Sequence, residues 1–251
     1  MLHNYPISTT HAHVMHNVDH IREYFCDALY HEDFVTDKTG VKTVEMIGAQ
    51  FVADEPLIFG SLNHDYIQRE LDWYKSMSLN VNDIPGKVPE IWKQVCDESG
   101  YIHSNYGWCV WSVENGRQYE YVRDELVKNP NSRRAVMIYT RPTMHQIYNI
   151  NGMSDFMCTN TVQYFIRENV LSAYVSMRSN DVWAGYRNDF AWQKHVLEEL
   201  GREIGVETGD IIWNVGSLHL YEKDFWRVDS YIRYGHENLT KTQYLDRLSK
   251  A

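Results

Sequence analysis

The chain has 251 residues, 43 % of them hydrophobic and 14 % aromatic, enough for the core of one α/β or α+β unit. Its formal charge of −10 argues against gripping a nucleic-acid polymer, but not against holding one nucleotide with a few arginines. No run of 18 apolar residues suggests a membrane span, and the opening MLHNYPISTTHAHVMH lacks the basic-then-apolar order of a secretory signal, so a cytoplasmic protein is expected.

Residues 1–16 read as a loose N-terminal extension and 17–251 as a single domain, since no repeat or Pro/Gly-rich linker divides the chain. His3, His11, His13 and His16, with His20 just after, could bind metal or simply be solvated. No cysteine or carboxylate cluster joins them, so no metal is expected. Cys26, Cys96, Cys109 and Cys158 have no CxxC spacing and suit free thiols in a reducing compartment.

Periodicity then marks the elements in order. Residues 18–30 place Ile21, Phe25 and Leu29 on one helical face. A strand is expected at 43–52, and a helix at 65–76 with Asp65 as N-cap. A third helix, 118–128, runs to Asn129-Pro130-Asn131. AVMIYT (135–140) reads as a buried strand. TVQYFI (161–166) and VLSAYVSM (170–177) flank Arg167-Glu168-Asn169 as a hairpin. The long helix 189–204 aligns Val196, Leu197, Leu200 and Ile204, with Gly205 as C-cap. A last strand, 210–221, is interrupted by Gly216. Strands and helices do not alternate regularly. The expected class is α+β, a mixed, mainly antiparallel sheet with packed helices.

Several residues could carry chemistry, and each also has a plain structural reading. The hairpin returns the chain to its starting level, so Arg178 can lie near Cys158 and favour its thiolate. Cys158 could equally be a small buried hydrophobe. Arg133 and Arg134 offer forked donors for phosphate, or a solvated loop. His219 and Tyr221 share one strand face and could hold a sugar hydroxyl, or be satisfied interior groups. Glu70 is a general acid/base or an ordinary helix residue. Asp189 opens the long helix, where aspartate is a preferred N-cap.

The order and spacing of these residues carry more than each alone. DKTG (37–40), RELDWY (69–74), NYG (105–107), NSRR (131–134), MCTNTVQYF (157–165), MRSNDVWAGYRND (177–189) and GSLHLY (216–221) together resemble the thymidylate synthase superfamily, over residues 33 to 230. The synthases carry asparagine where this chain has Asp189, histidine where it has Thr159, and arginine where it has Lys38. In those departures the chain is similar to the superfamily branch from T-even-type bacteriophages that hydroxymethylates deoxycytidylate.

The resemblance implies a homodimer formed through the sheet, with 5,10-methylenetetrahydrofolate as co-substrate. It implies Cys158 as the nucleophile toward carbon 6 of the pyrimidine, with Glu70 ordering water and moving protons near carbon 5. Arg178 and Ser179 would hold the phosphate, joined by Lys38 and by Arg133 and Arg134 of the other subunit. His219 and Tyr221 would bind the deoxyribose 3′-hydroxyl, and Trp92 and Asp181 would line the folate side. A cytidylate or deoxyuridylate hydroxymethylase, a thymidylate synthase and a catalytically silent nucleotide-binding protein are the alternatives. Further enzymes of deoxynucleotide synthesis are possible partners.

Asp189 discriminates among them on chemical grounds. An asparagine amide satisfies both the N–H and the carbonyl of uracil. A carboxyl group accepts from the amino group of cytosine and shares a proton with its ring nitrogen. Protonating that nitrogen drains electrons from carbon 6 and eases thiolate addition.

Overall fold

The computed structural model describes residues 16–37, 40–235, 237 and 239–250. Lys38 and His3, His11 and His13 fall outside them. Among the described residues a six-stranded sheet carries helices on one face. The first half comprises α1 (Val18–Tyr30), β1 (Val35–Thr36), β2 (Lys42–Val52), α2 (His64–Ser76), α3 (Glu90–Val95), α4 (Tyr106–Trp111) and α5 (Gln118–Lys128). β3 (Val136–Ile138), α6 (Met144–Ile147), β4 (Thr159–Arg167), β5 (Val170–Asp181), α7 (Gly185–Ile204), β6 (Glu207–Tyr221), α8 (Glu222–Tyr234) and α9 (Lys241–Leu248) follow. The order across the sheet is β1-β2-β6-β5-β4-β3, antiparallel except for the parallel β5–β6 pair, which α7 connects. This is the α+β class expected, with the mixed sheet.

The β4–β5 hairpin turns on Glu168 and Asn169, both at positive φ (51° and 63°), a tight turn matching the strand twist. Gly205 ends α7 in the left-handed conformation, as its position predicts. Other boundaries differ. Asn63, not Asp65, caps α2, its side chain accepting from Tyr66 N; Asp65 pairs with Arg69 instead. α7 starts at Gly185, four residues before the expected boundary. Asp189 is therefore inside the helix and is no N-cap. Asp181 accepts from the backbone N–H of Trp183 and Ala184 and prepares the helix entry.

Gly216 does not break its strand. β6 runs through it, but the burial alternation changes phase there. The same phase change occurs in β5 at Arg178, directly alongside, and in β2 near Gly48, the residue facing Gly216. Gly48 has φ +72°, and a Cβ on Gly216 would lie 2.8 Å from Arg178 O. Glycine is thus required by conformation in one strand and by close approach in the next. Beyond the shift, Asn180 turns inward toward α7, where unbroken alternation would have turned it outward.

Helix α4 is seated equally tightly. A Cβ on Gly107 would fall 1.8 Å from Tyr74 O, so α2 and α4 meet backbone to backbone. Replacing Gly107 with alanine should force these helices apart at a cost of about 3 kcal/mol. Urea denaturation of Gly107→Ala against the parent chain measures it.

Candidate active site

The site lies where the start of β4, the end of β5 and the end of β6 meet α2, α4 and α7. Hairpin pairing brings Arg178 back to Cys158, as expected from its length: Arg178 N donates to Cys158 O at 2.9 Å, and Nη2 lies 3.7 Å from Sγ. The guanidinium also donates to Met157 O (2.9 Å) and Phe156 O (2.7 Å) and lies over the Phe156 ring. It braces the segment leading into Cys158.

Burial pushes the Cys158 thiol up to about 11, although Arg178 pulls it down. Arg178 acts with the predicted sign, and desolvation outweighs it.

Next to Cys158, Thr159 is wholly buried, and its hydroxyl bonds the Tyr106 hydroxyl at 3.1 Å. Tyr106 donates to Asp189 Oδ1 at 2.9 Å. Asn180 Nδ2 donates to Asp189 Oδ2 at 2.7 Å. Burial raises the Asp189 carboxyl to about 7 against these donors, with Glu70 and Asp181 adding to the rise. The side chain keeps some exposure to the cleft.

Glu70, only 5 % exposed, accepts from Tyr66 Oη (2.7 Å) and Trp92 Nε1 (3.0 Å), and from the Asn188 amide. Its carboxyl is likewise raised, with burial the leading cause. Asn188 Oδ1 is buried with no partner in the protein.

On the opposite wall, parallel pairing sets Ser179 beside Ser217 and Asp181 beside His219. The His219 and Tyr221 rings meet edge to face at 4.7 Å, on the shared side that their spacing predicts. Burial raises the Tyr221 hydroxyl; Asp181, Asp37 and Cys158 add to the effect and Arg178 opposes it, so these groups face one cleft.

Arg133 and Arg134 are exposed and stand apart from this cluster. Arg134 pairs with Glu125 at 3.3 Å. Arg133 O accepts from Gln163, five residues along β4 from Cys158 and roughly 17 Å away at the strand rise.

Tyr66, Tyr106, Asn180 and Asn188 escaped the sequence reading. Tyr106, Asn180 and Asn188 stand within motifs already singled out, NYG and MRSNDVWAGYRND, but nothing in those strings marks a hydrogen bond to a residue on another element.

The family described as thymidylate synthase matches residues 23–247. The deoxycytidylate 5-hydroxymethyltransferase of Enterobacteria phage T4 is 55 % identical over 237 residues, 92 % of this chain and 96 % of its own length. The enzyme of the same name from Enterobacteria phage T6 is 56 % identical over 234 residues, 90 % of this chain and 95 % of that one. A thymidylate synthase of Buchnera aphidicola subsp. Acyrthosiphon pisum (strain APS) is 27 % identical over 195 residues, 74 % and 72 % of the two chains. With the match spanning nearly the whole described fold, the chain belongs to the thymidylate synthase family.

Proposed function

We propose that this chain transfers a one-carbon unit from 5,10-methylenetetrahydrofolate to carbon 5 of deoxycytidylate and hydrates it. The products are 5-hydroxymethyldeoxycytidylate and tetrahydrofolate. The observation that carries this reading is Asp189: an acid, held on both oxygens in the cleft beside Cys158, where uracil recognition calls for an amide. The relatives named for deoxycytidylate hydroxymethylation support it.

Asp189 and the ring nitrogen of cytosine would share one proton, which a carboxyl group titrating at about 7 can hold at neutral pH. Cys158 would give up its proton and add to carbon 6, with Arg178 favouring the anion. Carbon 5 then becomes nucleophilic and accepts the one-carbon unit. After tetrahydrofolate departs, water adds to the exocyclic methylene and the sulfur leaves. Glu70 would manage the proton from carbon 5 and that water. The orphaned Asn188 Oδ1 beside it provides a second acceptor for a bound water.

The folate would supply the one-carbon unit at the oxidation level of formaldehyde. Trp92 and the exposed Ile91 fit such a co-substrate, giving an aromatic and apolar edge next to Glu70. Asp181 would border the same side. Arg178 and Ser179 would take the phosphate, with Lys38. His219 and Tyr221 would take the 3′-hydroxyl.

Arg133 and Arg134 point to a homodimer. They lie too far from Cys158 to share its phosphate within one chain. The sheet face away from the helices, bearing Gln163, Phe165, Tyr174 and Asn214, is only half exposed and offers a surface for a second copy. Residues 17–251 would form one catalytic domain, active in the host cytoplasm and making a modified nucleotide for phage DNA.

Mass spectrometry of deoxycytidylate, cytidylate and deoxyuridylate incubated separately with the folate distinguishes the hydroxymethyl from the methyl product and identifies the base. Asp189→Asn should move the preference from deoxycytidylate toward deoxyuridylate by tenfold to a few hundredfold, at about 1–3 kcal/mol for each mispaired polar group; an unchanged ratio removes the role assigned to Asp189. The same variant tests the charge. An aspartate titrating at about 3.9 unfolded and about 7 folded binds more protons when folded, so it loses stability as pH rises between those values. From pH 5 to 8 the parent should lose about 2.6 kcal/mol relative to Asp189→Asn, read from urea midpoints. Mixing Cys158→Ser with Arg133→Ala/Arg134→Ala chains should restore turnover, because one of the two sites in the hybrid is intact. No recovery after subunit exchange argues against shared arginines.

A further inference from the structure

One of the two grips on Asp189 has a direction that no amide flip can reverse. Trp213 Nε1 donates to Asn180 Oδ1 at 3.2 Å, and Asn180 Nδ2 donates to Asp189 Oδ2 at 2.7 Å. An indole N–H only donates, so the amide atom facing it has to be the oxygen. The amide nitrogen is thereby turned onto the carboxyl group. Trp213 is fully buried and Asn180 is 3 % exposed, so water does not compete for either bond. Gly185 makes room at the start of α7: a Cβ there would come within 3.1 Å of Asn180 Nδ2 and 3.7 Å of Asp189 Oδ2.

We infer that Asn180, oriented by Trp213, is a positioning residue that reserves Asp189 Oδ2 as an acceptor and so sets the choice of cytosine over uracil. The inference rests on the deoxycytidylate reading above.

A carboxyl group that holds one proton is ambiguous. In the pose that sets Oδ1 against the ring nitrogen and Oδ2 against the group on carbon 4, a proton on Oδ1 is donated to cytosine while Oδ2 accepts from the amino group. With the proton on Oδ2 it can donate to the uracil carbonyl and accept the uracil N–H at Oδ1. Protonation alone therefore does not select a base.

The two neighbours of Asp189 break the tie. Tyr106 is a hydroxyl and can donate or accept, so it tolerates either state of Oδ1. Asn180 presents only N–H to Oδ2. An N–H is best received by an oxygen that keeps its full acceptor character, so the proton is directed to Oδ1. Each oxygen retains one lone-pair direction for the base, since the neighbours use one apiece of the roughly four available. Uracil would then set its carbonyl oxygen against an acceptor, a mismatch no rotation relieves while both grips hold.

Two variants separate this role from packing. Asn180→Leu removes the donor at similar volume, and Trp213→Phe leaves the amide free to flip. The ratio of kcat/KM for deoxycytidylate to that for deoxyuridylate should fall at least about tenfold in Asn180→Leu, and by a smaller factor in Trp213→Phe. In the substrate-free protein, ¹³C NMR of labelled aspartates follows the Asp189 carboxyl, identified by its loss in Asp189→Asn. Its midpoint should lie near 7 in the parent and about one unit higher in Asn180→Leu, because a donor to the charged form is gone. An unchanged ratio and an unchanged midpoint, in a variant melting like the parent, would overturn the inference. If Asn180→Leu does not fold, Trp213→Phe decides by the same two readings. If the parent does not turn over deoxycytidylate, the substrate reading fails, while the NMR midpoint still decides whether Asn180 grips Asp189.

Discussion

Glu70 and Asp189 lie in one poorly solvated cleft, and the charge of Glu70 raises the proton affinity of Asp189. Burial is the larger cause for each. Hydrogen-bond donors from Tyr66, Trp92, Tyr106 and Asn180 oppose it without cancelling it. Two carboxyl groups so placed are costly to ionise together, which makes a proton available near neutral pH. Much of the surrounding construction maintains this condition. Tyr74 stacks on Tyr106 at 5.2 Å, Trp73 meets Trp92 edge to face at 5.1 Å, and Trp192 packs against Tyr74. The aromatic layer keeps water from screening the pair. Its tight seating depends on Gly107, which lets α4 reach the backbone of α2.

The sheet supplies the other half of the geometry. At the end of β5, Arg178, Asn180 and Asp181 each contact a different part of the site. Arg178 turns to the thiol, Asn180 to the carboxyl group and Asp181 to the start of α7. A regular strand would present them alternately on opposite faces. The phase change alongside Gly216 redistributes them, and the parallel pairing with β6 adds His219 at the level of Asp181. A backbone irregularity therefore does here what several separate loops do in other folds.

Regular structure was readable where apolar spacing is strong. Residues 18–30 and 118–128 and the β4–β5 hairpin emerge with their expected bounds or close to them. The expected start of α7 falls late because Gly185 and Asn188 are poor helix signals; tertiary contacts, not propensity, hold that first turn. The meeting of Cys158 and Arg178 followed from hairpin arithmetic. The Asn180 and Tyr106 contacts did not, because they join elements far apart in sequence: Tyr106 and Asp189 are 83 residues apart. The net proton affinity of Cys158 was also out of reach, since it depends on burial that local sequence does not encode.

Burial pushes the Cys158 thiol up to about 11, so the protonated form dominates near neutral pH. A thiol held largely in its protonated form is slow toward peroxide, disulfides and electrophiles, which react with the anion. Reactivity is withheld until something in the cleft changes the local field, and the bracing of Phe156 and Met157 by Arg178 keeps the sulfur aligned in the meantime. A free thiol of this kind needs no separate shield, because the burial that seats it also holds its proton.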